Sequence, residues 1–438
     1  MTRRLLQTTF SLLLATSVAL QAFSQEAIHL TLADALERAP AANFEILIGQ
    51  ERLVAQEQAQ RRARANLFPQ ISAGAGQQRS QSFLPNMRDE LRETAITNRF
   101  DALLRASFSI FDVNNYAEAR VERFNTEIAR LTLRSTIEDI LQAIARTYFT
   151  HLRNLRREAA IQADISRDQA LLELATNRFE AGAATEIDVT RAEVALATNR
   201  LRLAQQETIV EESALELKRA LNFRLGAEVI VSDPNLPAFE GSTFSPNELA
   251  QILNRRPETV SAERTLDRNE VARRAARLQR LPTVSASGSY GYAGETFDSD
   301  LEEVWSAGID VNVPLFDGFR IEANQREAAS VVRQQELIVQ QLDAAVEAEY
   351  RIVLSQLRST NQQVEIARQQ VALADRELEL ARIRFEEGVA DNREVVEAQA
   401  NVAQANDGLV EAEYQFNLAR LAFARVRGEV HSILTASR

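Results

Sequence analysis

The chain has 438 residues, carries 50 Lys and Arg against 62 Asp and Glu for a formal net charge of -12, and contains no Cys. That balance leaves no basic stripe for nucleic acid. The absence of Cys excludes disulfides, thiolate metal sites and a lipidated N-terminal Cys. Usage rich in Ala, Leu, Glu, Gln and Arg, with only 14 Gly and 9 Pro gathered in a few places, belongs to long packed helices rather than to ordinary globular domains.

Residues 1–24 are predicted to be an export signal. Arg3 and Arg4 form a basic start, Leu12 to Leu20 supplies an apolar stretch, and Ala22-Phe23-Ser24 places small residues where a signal peptidase reads, leaving Gln25 first. The stretch is shorter than the ~20 apolar residues that a membrane-spanning helix needs. No other segment holds eighteen consecutive apolar residues. A mature chain that enters a membrane must therefore do so as β-strands.

The mature chain is built on a long duplication. Residues 113 to 181 and residues 319 to 387 are both free of Gly and Pro, and each run is opened by Phe-Asp, at Phe111-Asp112 and Phe316-Asp317. Each spans roughly 100 Å as a helix at about 1.5 Å per residue. The runs end alike, in Arg178-Phe179-Glu180-Ala181-Gly182 and Arg384-Phe385-Glu386-Glu387-Gly388. Upstream, Leu36-Glu37-Arg38-Ala39-Pro40 and Leu253-Asn254-Arg255-Arg256-Pro257 each precede a medium helix that ends near Pro69 or Pro282. The predicted organisation is a first repeat over 25–225, a linker and equatorial region over 226–247, a second repeat over 248–428, and a tail over 429–438. Both repeats have one order: medium helix, strand pair, long helix, Gly break, second long helix.

The strand pairs are placed at 69–83 and 99–111, and at 282–293 and 304–315, where the hydrophobic period changes to two. Ile71, Ala73 and Ala75 alternate with Ser72 and Gly74, and Leu104, Ala106, Phe108 and Ile110 with Arg105, Ser107 and Ser109. Val284, Ala286, Gly288, Tyr290 and Tyr292, then Trp305, Ala307, Ile309, Val311 and Val313, do the same in the second half. One reading is a pair of hairpins on a soluble core. The other is strands that cross a bilayer, with Trp305, Tyr290 and Tyr292 as an interfacial girdle. Four strands cannot close a barrel, so a membrane role requires several chains to share one.

In the helices, Ile137, Leu141, Ile144, Tyr148, Leu152 and Leu155 recur at threes and fours, a narrow buried stripe with polar faces beside it. The second long helices are placed at about 184–225 and 390–428, the latter interrupted at Asp407-Gly408. In the linker, Ser245-Pro246-Asn247-Glu248 reads as a capping box that opens a short helix, part of a collar joined by the C-terminal tail.

The duplicated plan resembles the TolC-type outer-membrane efflux protein family. The resemblance is carried by Trp305-Ser306-Ala307-Gly308-Ile309 running into Pro314-Leu315-Phe316-Asp317-Gly318, by Leu30-Thr31-Leu32-Ala33-Asp34-Ala35-Leu36, and by the twin Phe-Glu-x-Gly tips. It covers residues 30 to 428 and implies a mainly α protein with membrane β: long-helix hairpins forming an α-barrel, plus four strands per chain in a twelve-stranded barrel of a homotrimer. It further implies a passive exit duct in the outer membrane with its tunnel in the periplasm, serving a tripartite efflux pump or type I secretion system. The implied partners are outer-membrane lipid, a periplasmic adaptor (membrane fusion) protein and an inner-membrane transporter, with no cofactor.

The resemblance also assigns the Gly breaks to hairpin turns at the periplasmic mouth. Asp188, Glu394 and Glu397 match acidic residues that line the constricted entrance of family members, three carboxylates per ring in a trimer. The competing reading is that acids in the first turns of a helix serve its macrodipole. Family members often carry a basic, helix-tying residue where this chain has Ala390, with Arg393 nearby but differently placed. Arg178, Phe179, Gly182, Arg384, Phe385 and Gly388 are candidates for docking the adaptor. Gly as a left-handed helix stop with Phe packed beside it is the alternative.

Two rivals remain in view. The three His, at 29, 151 and 431, are scattered, and neither a phosphate loop nor a Gly-x-Ser-x-Gly turn occurs, so no enzyme is predicted. A soluble periplasmic coiled-coil adaptor or scaffold also has long hairpins, but one of them rather than two.

Overall fold

The structure is a computed structural model that describes residues 28–84, 92–234 and 243–430. The predicted export signal lies outside the described residues, as do 235–242 of the linker and 431–438 of the tail. In chain order the first half comprises β1 (Ile28–Leu30), α1 (Leu32–Ala42), α2 (Phe44–Ala65), β2 (Gln70–Leu84), β3 (Arg92–Phe111), α3 (Val113–Glu180) and α4 (Glu186–Ala220). Then come β4 (Val229–Val231), α5 (Pro246–Arg255), α6 (Pro257–Leu278), β5 (Thr283–Gly294), β6 (Glu302–Asn312), α7 (Arg320–Glu386) and α8 (Asn392–Arg427).

The four long strands form one antiparallel sheet in the order β2-β3-β5-β6. Its register joins the alternating residues of separate strands into rows, because residues paired across antiparallel strands share a face. Ile71, Ala106, Gly288 and Ala307 make one row, and Ala73, Leu104, Tyr290 and Trp305 the next. The opposite face carries Ser72, Arg105, Ser289 and Ser306. The apolar face is uncovered, with Trp305 at 73% exposure. Strand β3 begins at Arg92 rather than near residue 99. Its first residues pair with the far end of β2, Arg79 opposite Asn98, where Gln77 to Ser82 are all polar and the period-two signal vanishes. Strand β6 stops at Asn312, two residues before Pro314, which lacks the N–H a ladder needs.

Below the sheet each strand runs into a helix: α2 leads into β2, β3 into α3, α6 into β5, and β6 into α7. These helices pack side by side in the order α2-α3-α6-α7, the order of the strands they continue. Further down, α4 and α8 replace α2 and α6 as neighbours of α3 and α7. The Phe-Asp openings of the two long runs have a local cause. Asp112 Oδ1 accepts from the Asn114 N–H at 2.8 Å, and Asp317 Oδ2 from the Ile321 N–H at 2.9 Å, so each Asp caps the long helix that it precedes.

The break at the lower end of α2 and α6 differs between halves. Pro257 occupies the first turn of α6, where its missing N–H is harmless, whereas Pro40 lies in the last turn of α1 and Asn43 caps α2 through Glu45 N–H at 2.9 Å. Helix α8 is not interrupted at Asp407-Gly408. A glycine in a helix interior costs only about 1 kcal/mol, and Arg202 Nη2 holds Asp407 Oδ2 at 3.0 Å.

The apolar stripe of α3 is buried at Leu141, Ile144, Tyr148 and Leu152. Around it, α1, α4 and α8 close a cluster at mid-height, and the Tyr148 hydroxyl donates to the carbonyls of Leu30 at 3.0 Å and Ser232 at 2.5 Å. This collar is reinforced by a small parallel sheet of β1 and β4 that the sequence pattern does not reveal. A second cluster sits under α5, between α7 and α8.

Candidate functional site

At the foot of the helices, Gly182 and Gly388 both adopt a left-handed backbone, with φ of 71° and 73°. A side chain at either position would strain the turn, so the shared glycine is required by the hairpin itself. Above the turns, α3, α4, α7 and α8 converge on Leu171, Ala175, Ala192, Leu378, Phe385 and Val395.

The twin Arg-Phe-Glu-x-Gly sequences perform different tasks. Phe385 is 2% exposed and belongs to that core, while its counterpart Phe179 is 46% exposed. Arg178 crosses from the first hairpin to the second. Its guanidinium donates to the carbonyls of Phe385 and, at 3.1 Å, Glu386, and lies 4.7 Å from the centre of the Phe385 ring. Arg384 instead remains in its own hairpin, with Nε 3.2 Å from Glu394 Oε2. Phe385 is therefore a core residue, and Arg178 is engaged within the chain. Phe179, Arg384, Gly182 and Gly388 are the tip candidates that stay exposed.

The three acidic residues also separate. Asp188 is buried, and its carboxylate accepts from the Thr185 N–H at 3.0 Å and the Thr185 hydroxyl at 2.6 Å, a capping arrangement at the start of α4. Burial pushes its pKa up, but the Thr185 donors and Arg191 outweigh burial and hold it below the ordinary carboxylate value. Asp188 thus presents no free carboxylate to an aperture. Glu394 and Glu397 are exposed on one face of α8, and Glu397 Oε1 lies 2.7 Å from Arg393 Nε.

Although Ala390 supplies no cation, the two hairpins are tied by other residues. Asn392, fully buried, donates from Nδ2 to the Asp188 carbonyl at 2.7 Å. Arg191 stands 3.7 Å from Asp188 and 3.9 Å from Asp391. Sequence reasoning missed both links because they pair residues some two hundred positions apart. The one local signal is weak: Asn392 immediately succeeds Asp391, the cap of α8.

His151 lies within the buried stripe of α3. Its Nδ1 is 2.9 Å from Ser213 Oγ, and burial, aided by Lys218, lowers its pKa. It is a packing residue.

The outer membrane efflux protein model matches residues 35–222 and 249–429, one stretch for each half. The chain belongs to this family. Its curated relatives include the probable efflux pump outer membrane protein TtgC of Pseudomonas putida, 24% identical over 274 residues covering 60% of this chain and 54% of that one. Protein CyaE of Bordetella pertussis is 27% identical over 382 residues, covering 84% and 77%. The alignment to TtgC thus spans about half of that relative's length. Among solved structures, the CmeC outer membrane channel of Campylobacter jejuni superposes with a TM-score of 0.80 at 18% identity, covering 91% of this chain and 86% of that one. The outer membrane protein VceC of Vibrio cholerae superposes with a TM-score of 0.77 at 18% identity, covering 91% and 96%. As a member of the outer membrane efflux family, the chain places its sheet in the outer membrane and its helices in the periplasm. That location decides against the soluble adaptor.

Proposed function

We propose that the chain is one third of a homotrimeric exit duct, a passive conduit through which a pump or secretion system delivers solute across the outer membrane. One observation carries the reading: a four-stranded sheet with a continuous uncovered apolar face and two unpaired edge strands, β2 and β6, stands on helices of about 100 Å. Unpaired edges invite pairing with another strand. Pairing β6 of one copy with β2 of the next closes a barrel of three identical sheets, puts the apolar face on lipid and the serine-rich face on the lumen, and continues the helices as a tunnel.

At the far end, Glu394 and Glu397 supply a negative ring at the mouth that favours cations, and Asp188 fixes the start of the neighbouring helix. Phe179, Arg384 and the two exposed glycine turns form the surface offered to a periplasmic adaptor, which links the duct to an inner-membrane transporter. The TtgC name associates that protein with an efflux pump, in agreement with this role.

Because the chain has no Cys, single thiols can be introduced without background. Cys placed at Ser72 on β2 and Ser306 on β6 is expected to give covalent trimers with a short bifunctional thiol reagent in outer-membrane fractions. Monomers extracted without detergent, with no crosslinked species, would refute the duct.

A further inference from the structure

About 20 Å up α3 from the Gly182 turn, at about 1.5 Å per residue, α3, α4 and α8 border a half-open cavity of about 410 Å³. Pockets of this volume hold small molecules. Asp164 and Asp168 of α3, Asn199 and Arg202 of α4, and Gln399 and Asp407 of α8 line it. Asp164 is paired with Arg167. Arg202 Nη2 donates to Asp407 at 3.0 Å. Asp168, buried at 3% exposure, accepts from Asn199 Nδ2 at 2.7 Å, and among the described residues it receives no other hydrogen bond and no guanidinium or ammonium reaches ion-pair distance.

Of the three carboxylates in the lining, Asp168 is the one that neither Arg167 nor Arg202 reaches at ion-pair distance. Arg157 approaches Asp407 at 3.8 Å from outside the cavity, and Glu411 is shared by Arg157 at 3.8 Å and Arg153 at 3.5 Å, so it is Asp168 that stays without a cation at ion-pair distance. A second, independent sign is Gln399. It is 9% exposed, it lines the cavity, and its Oε1 has no hydrogen-bond partner. A buried carbonyl oxygen without a donor is costly, as is a buried carboxylate without a cation. Burial accordingly pushes the carboxyls of Asp164 and Asp168 up, the former despite Arg167.

The missing group must bring positive charge and N–H donors. Among the described residues no cluster of three His, Cys, Asp or Glu side chains is arranged to hold a metal ion, and the volume exceeds what a bare ion fills. An ammonium group has one charge and donors in several directions. We propose that this cavity binds a small organic ammonium ion, which donates to the Asp168 carboxylate and to Gln399 Oε1 and so bridges the first helical hairpin to the second. The bridge joins α3 and α4 to α8 above the mouth, where it opposes separation of the hairpins. The site does not depend on the duct reading, since it is built within one chain.

The test is equilibrium binding of 1,4-diaminobutane to the full chain purified in detergent, with 1,4-butanediol as the uncharged probe of equal length. Saturable binding of the diamine alone is expected, at one site per chain, weakened at least tenfold by Asp168→Asn and by Gln399→Leu. Asp168→Asn preserves shape and can still accept from Asn199, and its helical circular dichroism should match the parent. Equal binding of the diol would overturn the proposal, as would diamine binding unchanged in Asp168→Asn. Loss of binding in Glu397→Gln, an exposed residue of the mouth outside the cavity, would place the ligand at the mouth and overturn it as well.

Discussion

The mid-height collar and the hairpin tips are both places where the two repeats meet, yet they are joined by different chemistry. In the collar, Arg425 of α8 is 7% exposed and reaches Asp139 of α3 at 2.8 Å and Glu258 of α6, while Ser135 of α3 donates to Glu258 at 2.9 Å. Three helices are pinned by one buried guanidinium beside two apolar clusters. At the tips, the ion pairs of Glu394 and Glu397 are exposed, and the links between hairpins are the Arg178 grip, the Asn392 hydrogen bond and the Arg191 contacts. Buried charge networks are costly to break, whereas exposed ion pairs are worth about 0–1 kcal/mol. That contrast predicts a firmer waist and a looser mouth.

The contrast can be broken most severely at Arg425. Arg425→Ala removes the buried guanidinium shared by Asp139 and Glu258, leaving Glu258 with Arg256 at 3.3 Å and Ser135 at 2.9 Å, and is expected to cost about 1.5–3 kcal/mol, read from denaturant unfolding in detergent. The pH dependence gives a second readout. Burial pushes Glu258 up, but Arg425 and Ser135 outweigh it and hold the pKa at about 2 against an ordinary 4.5. A depressed carboxylate stabilises the fold fully above 4.5, and that stability is lost as pH falls toward about 2. The parent should show this loss in full and Arg425→Ala a smaller one, since Ser135 and Arg256 remain beside Glu258. If the two acid profiles coincide, the collar is not pinned by this residue.

A smaller effect is expected at Arg178. Arg178→Ala removes the grip of the first hairpin on the Phe385 and Glu386 carbonyls without touching the collar. The unfolding midpoint should move little, while the distance between spin labels near residues 182 and 388 should lengthen and broaden. An unchanged distance distribution would mean that Asn392 and Arg191 suffice to hold the mouth.

The least effect on stability belongs to the exposed acids. Replacing Glu394 and Glu397 together by Ala should leave stability within about 1 kcal/mol and lower the preference for cations in planar-bilayer conductance. A permeability ratio equal to the parent's would remove these residues from the gate.

Much of the architecture is legible in the sequence because it is periodic. The Gly- and Pro-free runs give the two long helices, the stripe from Leu141 to Leu152 gives their packing face, and the alternation around Trp305 gives the strand faces. The interruption expected at Asp407-Gly408 misjudges a single glycine in a helix held by Arg202. The small sheet of β1 and β4 escapes because three-residue strands carry no readable period. At the tips, identical signatures conceal unlike roles for Phe179 and Phe385.

The sequence by itself determined the repeat, the length of the helices, the two faces of the strands and the glycine turns, since each depends on local spacing or on backbone freedom at one position. Only the tertiary structure decided the order β2-β3-β5-β6, which phenylalanine of the pair is buried, which acids remain exposed, and that Asp168 and Gln399 share a cavity. Those properties arise where residues far apart in the chain compete for the same space and the same hydrogen bonds, and a duplicated sequence cannot say which copy takes the inside.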